Sequence, residues 1–269
     1  MRLVEFFYLM GLRPKPRAYG YRVQMIELAE GQIEYARWLN PKVKDLSLSD
    51  GELSQLRSFI HEGDFAIDVG AQVGDSTLPI ALACGASGLV LALEPNPATF
   101  AILEANSRHN SGRINIFPLC CAATDTNGRF VFDYGNPDMS NGGYHQGVSR
   151  WRHGSAISIE VEGRRLDEIL AERFVERMPR LRYIKVDVNG HDLGVLRSVE
   201  TIISKYRPFI KTEVNRRISE RDRQEMYTFL SRHGYTVHRI ESPENLRGPI
   251  ISGGDGMFSN KTFDIFAVP

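Results

Sequence analysis

The chain has 269 residues, of which 42% are hydrophobic and 25% charged, the composition of a soluble globular protein large enough to bury a full core without disulfide staples. Lysine plus arginine and aspartate plus glutamate both number 33, so the formal net charge is zero, which argues against a general nucleic-acid binder with its basic excess. The three cysteines, Cys84, Cys120 and Cys121, lack metal-ligand spacing and are expected as thiols in a cytoplasmic protein, the adjacent pair buried on and beside a strand.

Residues 1–10 are apolar apart from Arg2 and Glu5, and Gly11-Leu12-Arg13-Pro14-Lys15-Pro16-Arg17 follows in place of a signal-peptide cleavage site. No run approaches the roughly 20 apolar residues of a membrane span. The arm reads as a helix packed on its own domain; peripheral membrane contact through 1–17, or contact with a second copy in a homodimer, is the other reading. An amphipathic stretch over 21–39 stops at Asn40-Pro41 and completes an expected N-terminal helical appendage, 1–49. The main domain is expected over 50–269, opening with a helix over 52–61 capped by Ser49 or Asp50.

Phe65-Ala66-Ile67-Asp68-Val69 is a short apolar run with one carboxylate near its end. Gly70 and Gly74 follow, and Asp75-Ser76-Thr77 starts the next apolar stretch, which together predict strand, tight glycine turn and helix. Such a turn is a ligand site in open α/β sheets. The dinucleotide fingerprint needs glycines where Gln72 and Asp75 stand, and a Walker loop needs a Gly-Lys-Ser/Thr that is missing. An acidic turn with Asp68 and Asp75 suits a cationic ligand better than a phosphate. The next apolar run ends in Glu94, about 20 residues beyond Gly74, where a carboxylate accepts hydrogen bonds from ribose hydroxyls. A nucleoside with a positive, phosphate-free tail describes S-adenosylmethionine; the alternative is an ordinary strand–turn–helix with incidental acids.

From 65 onward strands and helices alternate, which predicts an α/β fold, a mostly parallel sheet with helices on both faces. Strands are expected at 65–69, 88–94, 113–121, 181–188, 208–214 and 235–240, and helices at 76–84, 97–109, 164–173, 192–205 and 219–233. Residues 129–134 and 157–161 look like added strands. The glycine-rich segment between them carries Tyr144, His145 and Trp151 and is expected as an ordered loop over the site. Residues 262–268 alternate as a final edge or antiparallel strand.

The series Asp68-Val69-Gly70-Ala71 with Gly74-Asp75, Leu93-Glu94-Pro95-Asn96-Pro97, Cys121-Ala122-Ala123-Thr124-Asp125, Arg165-Leu166-Asp167, Ile184-Lys185-Val186-Asp187-Val188-Asn189-Gly190-His191-Asp192 and Lys211-Thr212-Glu213 resembles the FkbM family of class I S-adenosylmethionine-dependent methyltransferases. The resemblance covers about 60–240. It implies the Rossmann-like, seven-stranded methyltransferase sheet with its last strand antiparallel. It also implies methyl transfer, usually to a hydroxyl of a sugar, glycan or secondary metabolite. The family usually has Glu where this chain has Asn189, which weakens the charge available to a metal or to an identical substrate mode.

Gly70 and Gly74 are expected to admit the methionine portion of S-adenosylmethionine, and Asp68 or Asp75 to engage its amino group directly or through water. Glu94 is expected to take the ribose and Asn96 to border it, while Asp125 is placed by resemblance near the adenine. Methyl transfer to a hydroxyl needs alignment, exclusion of water and removal of a proton. Asp187 is the first candidate for that work, the alternative being a structural carboxylate capping the turn at Asn189-Gly190. His191 and Glu213 are further catalytic candidates, and Asn189, Tyr144, His145 and Trp151 are assigned to the acceptor. A divalent cation between Asp187 and Glu213 has too few ligands in view, and no metal site is assigned. Competing readings are an N-methyltransferase of another acceptor and a catalytically silent cofactor-binding partner subunit.

Overall fold

A computed structural model of the chain describes residues 17, 19–43, 46–134, 142–143 and 157–269. In chain order the strands are β1 (Tyr21–Leu28), β2 (Gly31–Trp38), β3 (Phe65–Val69), β4 (Leu89–Leu93), β5 (Ile116–Leu119), β6 (Ala122–Ala123), β7 (Gly128–Tyr134), β8 (Gly142–Gly143), β9 (Ile157–Arg164), β10 (Leu181–Val186), β11 (Phe209–Val214), β12 (Thr236–Arg239) and β13 (Phe263–Val268). The helices are α1 (Asp50–Arg57), α2 (Thr77–Cys84), α3 (Pro97–Arg108), α4 (Leu166–Arg173), α5 (Asp192–Ser198), α6 (Glu200–Tyr206) and α7 (Glu220–Arg232).

The main sheet has seven strands in the order β12-β13-β11-β10-β3-β4-β5. β11, β10, β3, β4 and β5 run parallel, and β13 is antiparallel to both β11 and β12. This is the class I methyltransferase sheet, Rossmann-like with helices on both faces. β3 and β4 are buried at every position, as continuous apolar runs require when both faces of a parallel sheet are covered. Neighbouring side chains on one strand feed opposite layers. Ile67, Leu91 and Ile184 pack with α4 and α5, while Ala66, Val90 and Tyr183 pack with α1 and α2. β13 is inserted between β11 and β12 rather than lying at an edge.

The expected helix over 21–39 is a β-hairpin, so the helical appendage is corrected there. Gly31 closes the hairpin turn at φ 109, a conformation no right-handed helix passes through. β2 is buried on both faces: Ile33 and Tyr35 join the layer of α1 and α2, while Ala36 and Trp38 pack against Val73, Ile102 and Ala105. A second sheet, β6-β9-β7-β8, stands beside the main one. The expected helix over 192–205 is divided at Val199, which is wholly buried between α5 and α6. Cys121 is buried as expected, but Cys120 is exposed.

Candidate active site

The carboxyl ends of β3, β4 and β10 open into a cavity of about 510 Å³, within the range of small-molecule sites. Its floor is the turn after β3, in which Gly70, Gln72 and Gly74 all have positive φ (80, 51 and 92). Gly70 N–H and Ala71 N–H both donate to Leu93 O at 3.0 Å, which ties the turn to the end of β4. A Cβ at Gly70 would collide with the carbonyl oxygen of Asp187, so glycine is what lets the ends of β3 and β10 meet at the cavity wall. Gly74 lies behind the cavity, against Leu103 and Asn106 of α3.

Glu94 is 7% exposed and lines the cavity. Its Oε1 accepts from Asn96 N (2.9 Å) and Thr99 Oγ1 (2.8 Å), and its Oε2 from Gln72 N (3.0 Å). A carboxylate has about four acceptor positions, so Oε2 retains room for one more donor. Burial pushes its pKa up, opposed by those same hydrogen bonds. Asn96 caps α3, accepting from Ala98 N at 3.0 Å, and borders the same cavity.

Asp68 is wholly buried and does not line the cavity. Its Oδ2 accepts from Ser76 Oγ (2.8 Å) and Thr77 Oγ1 (2.7 Å), and its Oδ1 from Lys185 Nζ (3.0 Å). Ser76 and Lys185 do line it, so Asp68 stands one residue behind the place assigned to it. Lys185 Nζ also donates to Gly70 O at 3.3 Å. Burial alone would lower the lysine pKa; the negative charges of Asp68, Asp187 and Asp75 outweigh it and hold the ammonium charged. Asp75 lies at the rim, exposed to solvent, and lines the cavity.

Asp187, Asn189 and His191, after β10, also line the cavity. The buried Asp192 carboxylate caps the turn they occupy, accepting from Val188 N (3.4 Å), Gly190 N (3.0 Å) and Thr212 Oγ1 (3.2 Å). Burial, then the nearby charge of Asp187, pushes Asp192 up to about 7. Asn189 has φ 56, a left-handed conformation that asparagine tolerates better than most side chains. His191 Nδ1 and Asp125 Oδ1 converge on Gly194, lying 3.7 and 3.9 Å from where a Cβ there would stand. Asp125 lines the cavity, but Glu213 does not. Glu213 accepts from Asn215 Nδ2 at 2.7 Å, and burial raises its pKa.

Several lining residues carried no sequence assignment. Phe130, Phe132 and Tyr134 alternate along β7 and form a wall of the cavity. Lys185 and Lys211 also reach it. Lys185 stood in the sequence only as a member of the Ile184–Asp192 series that carries the resemblance; its pairing with Asp68 depends on strand register, in which the two are direct partners. Tyr144, His145 and Trp151 lie outside the described residues, as do 1–16 of the N-terminal arm. Among the described residues no three His, Cys, Asp or Glu side chains gather to hold a metal ion.

The Methyltransferase FkbM domain model matches residues 68–237. The hexuronic acid methyltransferase AglP of Haloferax volcanii is 27% identical over 181 residues, 67% of this chain and 68% of that protein. The methyltransferase sdnD of Sordaria araneosa is 28% identical over 157 residues, 51% of this chain and 60% of that protein. A solved methyltransferase FkbM of Methylobacillus flagellatus aligns at 15% identity and TM-score 0.46, over 76% of this chain and 43% of its own. The chain thus spans 60% of the length of the Sordaria relative and less than half of the solved one. With a family model covering more than half of its residues, the chain belongs to the FkbM family of class I methyltransferases.

Proposed function

We propose that the chain is an S-adenosylmethionine-dependent O-methyltransferase acting on a hydroxyl of a sugar, glycan or secondary metabolite. The observation that carries this reading is Glu94, a buried carboxylate at the cavity with one acceptor position left, beside a turn whose Gly70 admits no side chain. That pair fits a ribose next to a closely held amino-acid tail. S-Adenosylmethionine supplies an electrophilic methyl carbon on a sulfonium. Glu94 accepts from the ribose and Asn96 borders it. Asp75 faces the amino group, with Asp68 acting behind it through Ser76 and Lys185. Asp125 and the β7 aromatics flank the base. Asp187 orients the acceptor hydroxyl and takes its proton, and His191 assists at the same mouth. The cavity walls keep bulk water from the reacting atoms. The hexuronic acid methyltransferase among the relatives supports a sugar acceptor.

Calorimetric titration of the purified chain with S-adenosylmethionine and with NAD tests the cofactor. Micromolar binding of the first and none of the second is expected. A folded chain that ignores S-adenosylmethionine, alone and with acceptors present, would sink the reading. Screening uronic acids, neutral sugars and hydroxylated metabolites for methyl uptake then identifies the acceptor class.

A further inference from the structure

We infer that Asn106 is a positioning residue for the cofactor turn, locking the N-terminal hairpin and the Gly70–Gly74 turn into one unit; this rests on the reading of the cavity as an S-adenosylmethionine site. Asn106 is wholly buried on α3. Its Oδ1 accepts from Ala36 N at 2.7 Å, and its Nδ2 donates to Ala36 O at 3.2 Å and to Val73 O at 2.8 Å. The first two bonds satisfy the outer edge of β2 as a neighbouring strand would. Asn110, four residues on, repeats that grip on Glu34: its Oδ1 accepts from Glu34 N and its Nδ2 donates to Glu34 O, both at 2.8 Å. The third bond of Asn106 has no counterpart at Asn110. It crosses to the middle of the glycine turn.

Val73 is 1% exposed and packs among Ala36, Trp38, Ile102 and Ala105, so the turn lies directly on the hairpin and α3. On its cavity side the turn is held by Leu93 O and Glu94 Oε2. On its rear side Asn106 holds the Val73 carbonyl. Three positive φ values within five residues make this a conformation that the surroundings must impose. Removing the Asn106 amide leaves a buried carbonyl without that donor and frees the turn to move relative to Glu94. Asn106 thereby acts on the ligand through the backbone of residues 70–74, without touching the cavity.

The experiment compares N106A with N110A in the full chain, measuring S-adenosylmethionine affinity by calorimetry and Tm by thermal melting. Both variants release one grip on β2 and lower Tm. N106A is expected to weaken binding about tenfold or more, equivalent to about 1.4 kcal/mol, while N110A stays within about twofold of the parent. Unchanged affinity in N106A overturns the inference, and so does an equal loss in N110A, which would assign the effect to hairpin docking in general. If N106A does not fold, hydrogen exchange on the parent chain decides. S-Adenosylmethionine should slow exchange at Ala36 N–H more than at Glu34 N–H, and equal or absent protection overturns the link. A parent chain that does not bind S-adenosylmethionine defeats the proposed function itself; binding by the parent with an indifferent N106A defeats only this inference.

Discussion

Glu94, after β4, and Asp187, after β10, both line the cavity, and one substitution at each tests the roles proposed for them. Glu94→Gln keeps the size of the side chain but turns one acceptor oxygen into a donor. It should weaken S-adenosylmethionine binding about tenfold or more, read by calorimetry. Asp187→Asn should leave that affinity within about twofold and lower turnover by about two to four orders of magnitude, the usual worth of a positioned acid or base. Full activity in the second variant would remove Asp187 from the chemistry. Both residues were legible in the sequence because each stands at the end of an expected strand. Asp68 has the same signature, yet the structure puts Lys185, Ser76 and Thr77 around it. A run of residues reveals that a carboxylate is near a strand end, but not which side chains arrive from elsewhere to cover it.

At the scale of elements, the joint between β3 and β10 depends on the Lys185–Asp68 pair, with side chains 7% and 0% exposed. Lys185→Met leaves a buried carboxylate without its cation and should cost about 3–5 kcal/mol in denaturant melts; the double variant with Asp68→Asn should recover part of the loss. The turn from β10 into α5 depends on Asp192. Its pKa is about 7 folded against an ordinary 3.8, so folding takes up a proton between those values. The resulting stabilisation is full below about pH 4 and is lost as pH rises through about 7, a change of order 4 kcal/mol. Measured against the parent, Asp192→Asn should abolish this component of the pH dependence; identical profiles for the two proteins would refute it. The acid–base candidates at this turn were visible in the sequence, but the cap at Asp192 was not. It depends on the Asp192 carboxylate pointing back to the amides of Val188 and Gly190.

At the scale of the molecule, the hairpin is built into the core. Trp38 is 3% exposed and packs on α3 beside the glycine turn. Trp38→Ala should cost about 3–5 kcal/mol by thermal or denaturant unfolding, far more than truncating a side chain on a loosely attached appendage. A loss below about 1 kcal/mol would show that the hairpin is dispensable for the main fold. Among the described residues no helix is long and apolar enough to cross a membrane.

The sequence by itself determined the alternation of strands and helices from 65 onward, the glycine turn, the acids at the strand ends and the family. Each of these is written in local periodicity, backbone permissiveness or motif spacing. The tertiary structure decided what depends on contacts between distant segments. It made 21–38 a hairpin, because β2 finds burial on both faces and amide partners at Asn106 and Asn110. It placed β13 between β11 and β12 and paired Lys185 with Asp68 through strand register. It also brought the β7 aromatics to the cavity. An amphipathic stretch states only that one face will be buried. Which face, and whether the backbone is a helix or a strand, is set by the partner it packs against.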